Sequence, residues 1–467
     1  MWKATVLLTL LSLSVTFELG RARKQWSVFR NMFKRIRCST PSRGDPGQPL
    51  FLTPYIESGR LEEGRQLSLV GPLQGVNVKS YSGYLTVNKT HNSNLFFWFF
   101  PAEVQPEDAP VLLWLQGGPG GSSMFGLFVE HGARSNFVLK SHDFLFHYQV
   151  GTGFSFTDDT GYAVNQDDVG RDLYSALIQF FQLFPDYQKN DFYITGESYA
   201  GKYVPAVGYY IHTYSSKAKV KINFKGVAIG DGFCDPEMML GGYAQFLYQI
   251  GLVDEKQREY VQQQTDLGVI YIQQKKWMKA FEIFDTLLNG DETSSSYTQN
   301  VTGCSNYFNF LQCQEPADQE YFGAFLSLSE VRKAIHVGNL TFHDGSTVEK
   351  HLLEDVMKTV KPWLAVIMDN YRVLLYNGQL DIIVAAPLTE RFLPTVPWSK
   401  VEEYKSAERL IWRIHPLDKE VAGYVRQAGE FYQVRKGNLK VQQIIWGRKF
   451  QPVRVVVAII MVLHQIL

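Results

Sequence analysis

The stretch Asp191 to Pro205, DFYITGESYAGKYVP, leaves few options for the chain around it. Phe192 to Thr195 is aromatic and β-branched, the composition of a buried strand, and it stops at Gly196. Past Glu197-Ser198-Tyr199-Ala200-Gly201, the residues Tyr203, Val207, Tyr210, Ile211 and Tyr214 recur at helical spacing. A strand that turns into a helix through one serine between small residues lifts the Ser198 hydroxyl clear of the sheet. The same turn aims the Tyr199 amide and the positive end of the helix at the atom the hydroxyl would attack. The strict form of such an elbow is GxSxG; here Ala200 takes the fifth place and Gly201 follows it.

Two more apolar strands run into turns that carry chemistry. Val111 to Leu115 (VLLWL) leads into Gln116-Gly117-Gly118-Pro119-Gly120-Gly121-Ser122-Ser123, and Val373 to Tyr376 (VLLY) leads into Asn377-Gly378-Gln379-Leu380-Asp381. Together WLQGGPGGSS, GESYAGKYVP and YNGQLD make the chain resemble the serine carboxypeptidase family, in its vitellogenic-like branch, from about Gln48 to about Val434. The resemblance implies an α/β-hydrolase fold, with a mostly parallel central sheet and a largely helical cap insertion. It implies no cofactor, no metal, and peptides or proteins with a free C-terminus as substrates.

The rest of the chain is consistent with that class and excludes others. A chain of 467 residues can bury one large core with insertions or two ordinary domains. Its 46 basic and 46 acidic residues balance, so no basic surplus points to nucleic acid. Residues 1–20, MWKATVLLTLLSLSVTFELG, have the outline of a secretory signal peptide, with an apolar run too short for a membrane span. Residues 21–47 are basic and irregular, a pro-segment or loose arm, with a nuclear or heparin-binding cluster as the weaker reading. The sequons at Asn88, Asn300 and Asn339 agree with a secreted or endosomal and lysosomal protein. In an oxidising compartment Cys304 and Cys313 are the expected disulfide, and no Cys/His cluster has metal-ligand spacing. The family's glycine-rich motif often carries a cysteine where this chain has Gly121, so that bridge is not available.

Read in order, residues 48–235 form the first part of the core, 236–361 the cap insertion, 362–435 the second part of the core and 436–467 a tail with no family motif. Residues 81–101 read as a β-hairpin. Residues from Asp167 form an amphipathic helix burying Val169, Leu173, Ala176, Leu177, Phe180, Phe181 and Phe184, and Val220 to Asp231 forms another strand. One departure concerns the sheet: the family has a further apolar strand before VGTGFSF, and SHDFLFHYQ is shorter by about one strand. A missing central strand would leave its neighbours' backbone groups unpaired, so the segment has to be rebuilt or the sheet is compromised.

Acyl transfer from a serine needs a nucleophile, a base, an acid that orients the base, and donors for the oxyanion. By resemblance Ser198 and Asp381 fill the first and third roles, while the amides of Gly118 and Tyr199 are the oxyanion donors. A loop or capping carboxylate is the alternative for Asp381. The free carboxylate of the substrate falls to Gln116 (where Asn is usual), Gly117 and Glu197, with Glu130 as partner of Glu197. A surface acid at a helix end is the other reading of Glu130. Two acids at one site do not both ionise easily, which favours activity at acidic pH. The catalytic histidine is unknown: the family places it after the final strand, where this chain reads RKGNLKVQQ. After Asp381 only His415 and His464 follow, the first before the expected strand and the second in the apolar tail. The expected function is therefore a serine carboxypeptidase that acts through an acyl-enzyme on Ser198 and is impaired by the absent base. A non-catalytic member that binds peptides or a partner protein is the alternative, and a lipase or esterase on the same fold a more distant one.

Overall fold

The computed structural model describes residues 44–73, 78–131, 141–147, 150–290, 295–315, 321–413 and 417–436. The signal peptide, most of the basic arm, His415, His464 and the tail beyond Lys436 lie outside the described residues.

The β-rich runs YSGYLTVN and SNLFFWFF form the antiparallel hairpin β1 (Tyr81–Asn88) and β2 (Ser93–Phe100). Phe97 and Phe99 of β2 pack into one core, and Phe96, Trp98 and Phe100 pack into the other. Burial on both faces explains why the strand reads as one apolar run. The other strands of the sheet are β3 (Val111–Leu115), β4 (His142–His147), β5 (Phe192–Glu197), β6 (Phe224–Gly230), β7 (Arg372–Gly378), β8 (Leu410–Trp412), β9 (Gly423–Ala428) and β10 (Phe431–Lys436). Their order is β1-β2-β4-β3-β5-β6-β7-β10-β9-β8. The six strands from β4 to β10 in that order are parallel, and the hairpins at the two ends are antiparallel. This is the α/β-hydrolase arrangement, its parallel centre produced by helical crossovers.

The strand expected to be missing is present. HDFLFH of the short segment itself forms β4 and pairs with both β2 and β3. His142 anchors its start: its amide donates to Pro110 O (2.8 Å), and its ring bonds Ala102 N (3.0 Å) and Pro106 O (2.8 Å). The ladders of β2 and β3 are thereby satisfied without extra chain length.

Helix α1 (Gln166–Leu183) is capped by Asn165, whose side chain accepts from Asp168 N at 2.9 Å, and it buries the predicted apolar stripe. Helix α2 (Ala200–Tyr214) follows the serine turn and is buried over most of its first three turns. Between β6 and β7 lies a mainly helical stretch. Its elements include α3 (Glu255–Gln273), started by an Asp254/Gln257 capping box, then α4 (Trp277–Phe284), α5 (Ser346–Val356) and α6 (Lys361–Asn370). Cys304 and Cys313 are bonded to each other in the loop region of this stretch. Among the described residues no helix is long and apolar enough to cross a membrane.

Candidate active site

The carboxyl ends of β3, β5, β6 and β7 converge, and the loops leaving them bring together most of the residues singled out from the sequence. Ser198 follows β5 with φ 60°, the left-handed region that a side chain occupies only under constraint. The constraint is visible on both sides of the peptide. Ser198 N donates to Gly230 O (2.9 Å), while Ser198 O accepts from Gly201 N (2.9 Å) and Phe233 N (3.0 Å). Gly201 stands one place later than the strict elbow pattern because its Cα lies against the next crossover. A Cβ there would come within 2.6 Å of Phe233 N.

The glycine loop after β3 lies directly on this turn. A Cβ on Gly117 would stand 2.7 Å from Glu197 O, Ser198 Cβ and Tyr199 N. Gly118 has φ +119°, open only to glycine, and packs on the amides of Gly120 and Gly121. The two backbone segments that carry the expected oxyanion donors are thus in contact.

A chain of polar groups runs from the same loop into the elbow. Trp114 Nε1 donates to Gln116 Oε1 (2.9 Å), and Gln116 Nε2 donates to Glu197 Oε1 (2.7 Å). Glu130, on the helical turn Gly126–His131, is only 1% exposed, which removes the surface-acid reading. Burial first, then the neighbouring Glu197 carboxylate, pushes its carboxyl well above the usual range. Neither Glu130 oxygen nor Glu197 Oε2 receives a hydrogen bond of full geometry, although the Gln116 side chain also faces Glu130 and partly offsets the rise. A proton held by Glu130 supplies the missing donor.

Asp381 lies past the end of β7, 3% exposed, with Oδ1 accepting from Ile383 N (2.8 Å) and Val384 N (3.4 Å). Burial raises its carboxyl to about 8 against the pull of those two amides, and the charge of Glu197 adds to the rise. Asp231, one residue past β6, reads from the sequence only as the end of a strand. It has φ 40°, and its Oδ1 accepts from Asn377 Nδ2 (2.8 Å) and Gly378 N (3.2 Å), which ties it to the loop that carries Asp381. Burial, followed by the charge of Asp381, holds its carboxyl well above the usual range. An acid at the carboxyl edge of a parallel sheet was the available signal.

The histidines with described contacts are engaged elsewhere. His91 meets Thr160, His142 meets Ala102 and Pro106, His212 meets Tyr371, His336 meets Ser82, and His351 meets Thr347 while stacking on Tyr162. The residues after Lys436, where the base is expected, are outside the described set. Among the described residues no group of three or more His, Cys, Asp or Glu side chains is disposed to hold a metal ion. Of the sequon asparagines, Asn300 and Asn339 are exposed, and Asn88 is half-buried with its side chain accepting from Thr90 N (3.0 Å).

Comparison with protein families matches residues 71–441 to Peptidase S10, serine carboxypeptidase. Among curated proteins, the chain is 64% identical over 421 residues to the probable serine carboxypeptidase CPVL of Homo sapiens, covering 87% of this chain and 88% of that one. It is 43% identical to the vitellogenic carboxypeptidase of Aedes aegypti, covering 88% and 89%. Among solved structures, the prohormone-processing carboxypeptidase Kex1(delta)p of Saccharomyces cerevisiae superposes with a TM-score of 0.68 at 19% identity, covering 81% of this chain and 92% of that one, a likeness of fold.

Proposed function

The chain belongs to the serine carboxypeptidase family, and from that premise we propose how its own residues divide the removal of a C-terminal residue from a peptide. The Ser198 hydroxyl attacks the last peptide carbonyl, the amides of Gly118 and Tyr199 receive the developing oxyanion, and the peptide bond breaks to give an acyl-enzyme and a free amino acid. Water then cleaves the acyl-enzyme. Asp381 orients the base, which the family places after the final strand. Gln116, Gly117 and Glu197 hold the substrate's terminal carboxylate, with Glu130 carrying the proton that turns a repulsive acid pair into a donor. The observation that carries this reading is the chain Trp114 to Gln116 to Glu197, which ends at the residue preceding the serine.

The substrates in this reading are peptides or proteins that reach the chain along the secretory pathway, with Asn88, Asn300 and Asn339 as glycan acceptors. Purified chain tested at acidic pH on N-blocked dipeptides and on simple esters, with Ser198→Ala as control, decides the matter. Turnover of the dipeptides that vanishes in Ser198→Ala supports it, and turnover of esters alone turns it toward a lipase or esterase.

One observation favours a second reading, a family member that binds C-terminal carboxylates without turnover. Where the family places its base, after the final strand, this chain reads RKGNLKVQQ, without a histidine. Losing one triad member costs on the order of four to six decades in turnover while binding survives. Dipeptide binding with no Ser198-dependent hydrolysis identifies this state.

A further inference from the structure

Helix α2 begins at the catalytic turn, yet the side chain of its N-cap residue, Tyr199, makes no capping hydrogen bond. Its entry is tethered by buried tertiary bonds instead. Tyr199 is 3% exposed, and its hydroxyl donates to Asp355 Oδ2 (2.9 Å) near the C-terminus of α5. The same oxygen accepts from Gln166 Nε2 (2.7 Å) at the start of α1. Lys202, in the first turn of α2 and fully buried, donates to the carbonyls of Asp355 and Lys358, and its Nζ stands 5.3 Å from the Tyr199 ring centroid.

Each part has a physical reason to be there. Asp355 O, in the last turn of α5, already accepts from Lys358 N (3.0 Å), and Lys358 lies just past the helix end; the carbonyls there carry negative partial charge, which a buried ammonium complements. Burial lowers the Lys202 ammonium to about 8, partly countered by the Asp355 carboxylate, so at acidic and neutral pH it remains charged. The same segment is fastened on its other side by Lys361 against Asp235 (2.8 Å) and by Val360 N donating to Cys234 O (3.1 Å). The end of the helical insertion is thereby bolted to the crossover that follows β6 and to the first turn of α2.

We infer that Asp355, Lys202 and Gln166 form a clamp on the Tyr199 side chain that fixes the direction of the Tyr199 amide, making them positioning residues for the oxyanion. The inference rests on the reading of that amide as an oxyanion donor. The geometry has a mechanical logic: the amide is one residue past a strained serine, and fixing the far end of the rigid ring on a buried carboxylate leaves little rotation to the peptide. Donors that act on a developing charge lose effect steeply when misaimed.

The clamp is tested with Tyr199→Phe, which removes only the hydroxyl, Asp355→Asn, and the double variant, in the full chain. The expected result is a fall in kcat of about tenfold in each single variant, with KM for an N-blocked dipeptide unchanged within about twofold, and no further fall in the double variant. A lowered thermal midpoint with kcat intact, or losses that multiply in the double variant, would overturn it. If the parent chain shows no Ser198-dependent turnover, the failure belongs to the catalytic reading, and the clamp is judged by hydrogen exchange of the 196–205 segment. Faster exchange there in Asp355→Asn, with the sheet strands unchanged, supports the clamp; unchanged exchange overturns it.

Discussion

Gly117 and Ser198 touch: a single Cβ added to the glycine would stand 2.7 Å from the serine Cβ and equally close to Glu197 O and Tyr199 N. Backbone of this kind cannot yield without moving the elbow. Gly117→Ala is expected to cost on the order of 1–3 kcal/mol of stability, the range for overpacking a filled interior. Turnover should fall further than stability does, because the atoms displaced are those at the reaction centre. Thermal melts compared with kcat on the same preparation check this; an alanine variant with unchanged values for both would show that the loop and the elbow are free to separate.

Glu130 makes stability depend on pH with a definite sign. Its folded carboxyl is raised well above the ordinary 4.5, by burial and then by Glu197, so the folded state binds its proton more tightly than the unfolded state does. The contribution is complete below about 4.5 and is lost as pH rises toward the folded value, no faster than about 1.4 kcal/mol per pH unit for one proton. Glu130→Gln keeps the shape of the protonated acid and removes the titration. Its thermal midpoint relative to the parent should therefore rise steadily from pH 5 to pH 8, as followed by calorimetry.

The strands, the serine turn and the helix after it were legible because period and composition agree there: Phe192 to Thr195 is β-rich, and Tyr203, Val207 and Ile211 fall on one buried helical face. Asp381 stands just past a strand and Glu197 closes one, but the roles given to both come from the resemblance of NGQLD and GESYAG rather than from position alone. Of the two outcomes left open for the shortened segment, a rebuilt strand or a compromised sheet, the structure has the first, and length alone could not decide between them because HDFLFH is set by His142 meeting backbone around Ala102 and Pro106. The Lys202 contacts had no local signal at all. A lysine in a first helical turn reads as a solvated residue, and its carbonyl partner at Asp355 is 153 positions away in the chain.

His142 acts on stability in the opposite direction to Glu130. Its Nδ1 accepts from Ala102 N, its Nε2–H donates to Pro106 O, and burial lowers its affinity for a second proton. The unfolded chain takes up that proton first as pH falls below about 6.5, so stability is full above that value and declines below it. Protonation would also set an N–H of the ring against the Ala102 amide. His142→Asn loses ring packing against Phe99 and Tyr187, and should melt lower at every pH but with a shallower fall between pH 7 and pH 5. Parallel slopes for parent and variant would assign the acid sensitivity to other groups.

Asp381 offers a measurement that separates a complete triad from an incomplete one without an activity assay. Burial holds its carboxyl near 8 against the bonds from Ile383 and Val384, so ionising it at neutral pH works against the fold by as much as several kcal/mol. Because the folded value is raised, the stabilising contribution of the protonated form is whole below about 3.8 and disappears as pH climbs through that interval. Asparagine reproduces the neutral carboxyl. If nothing cationic faces the group, Asp381→Asn should raise the thermal midpoint at pH 7.5 and leave it nearly unchanged at pH 4, while removing whatever turnover the parent has. A histidine supplied from beyond Lys436 and bonded to the carboxylate would reverse the sign at pH 7.5, because the variant would then strand a buried partner. The direction of that one shift therefore distinguishes the hydrolytic chain from the binding one.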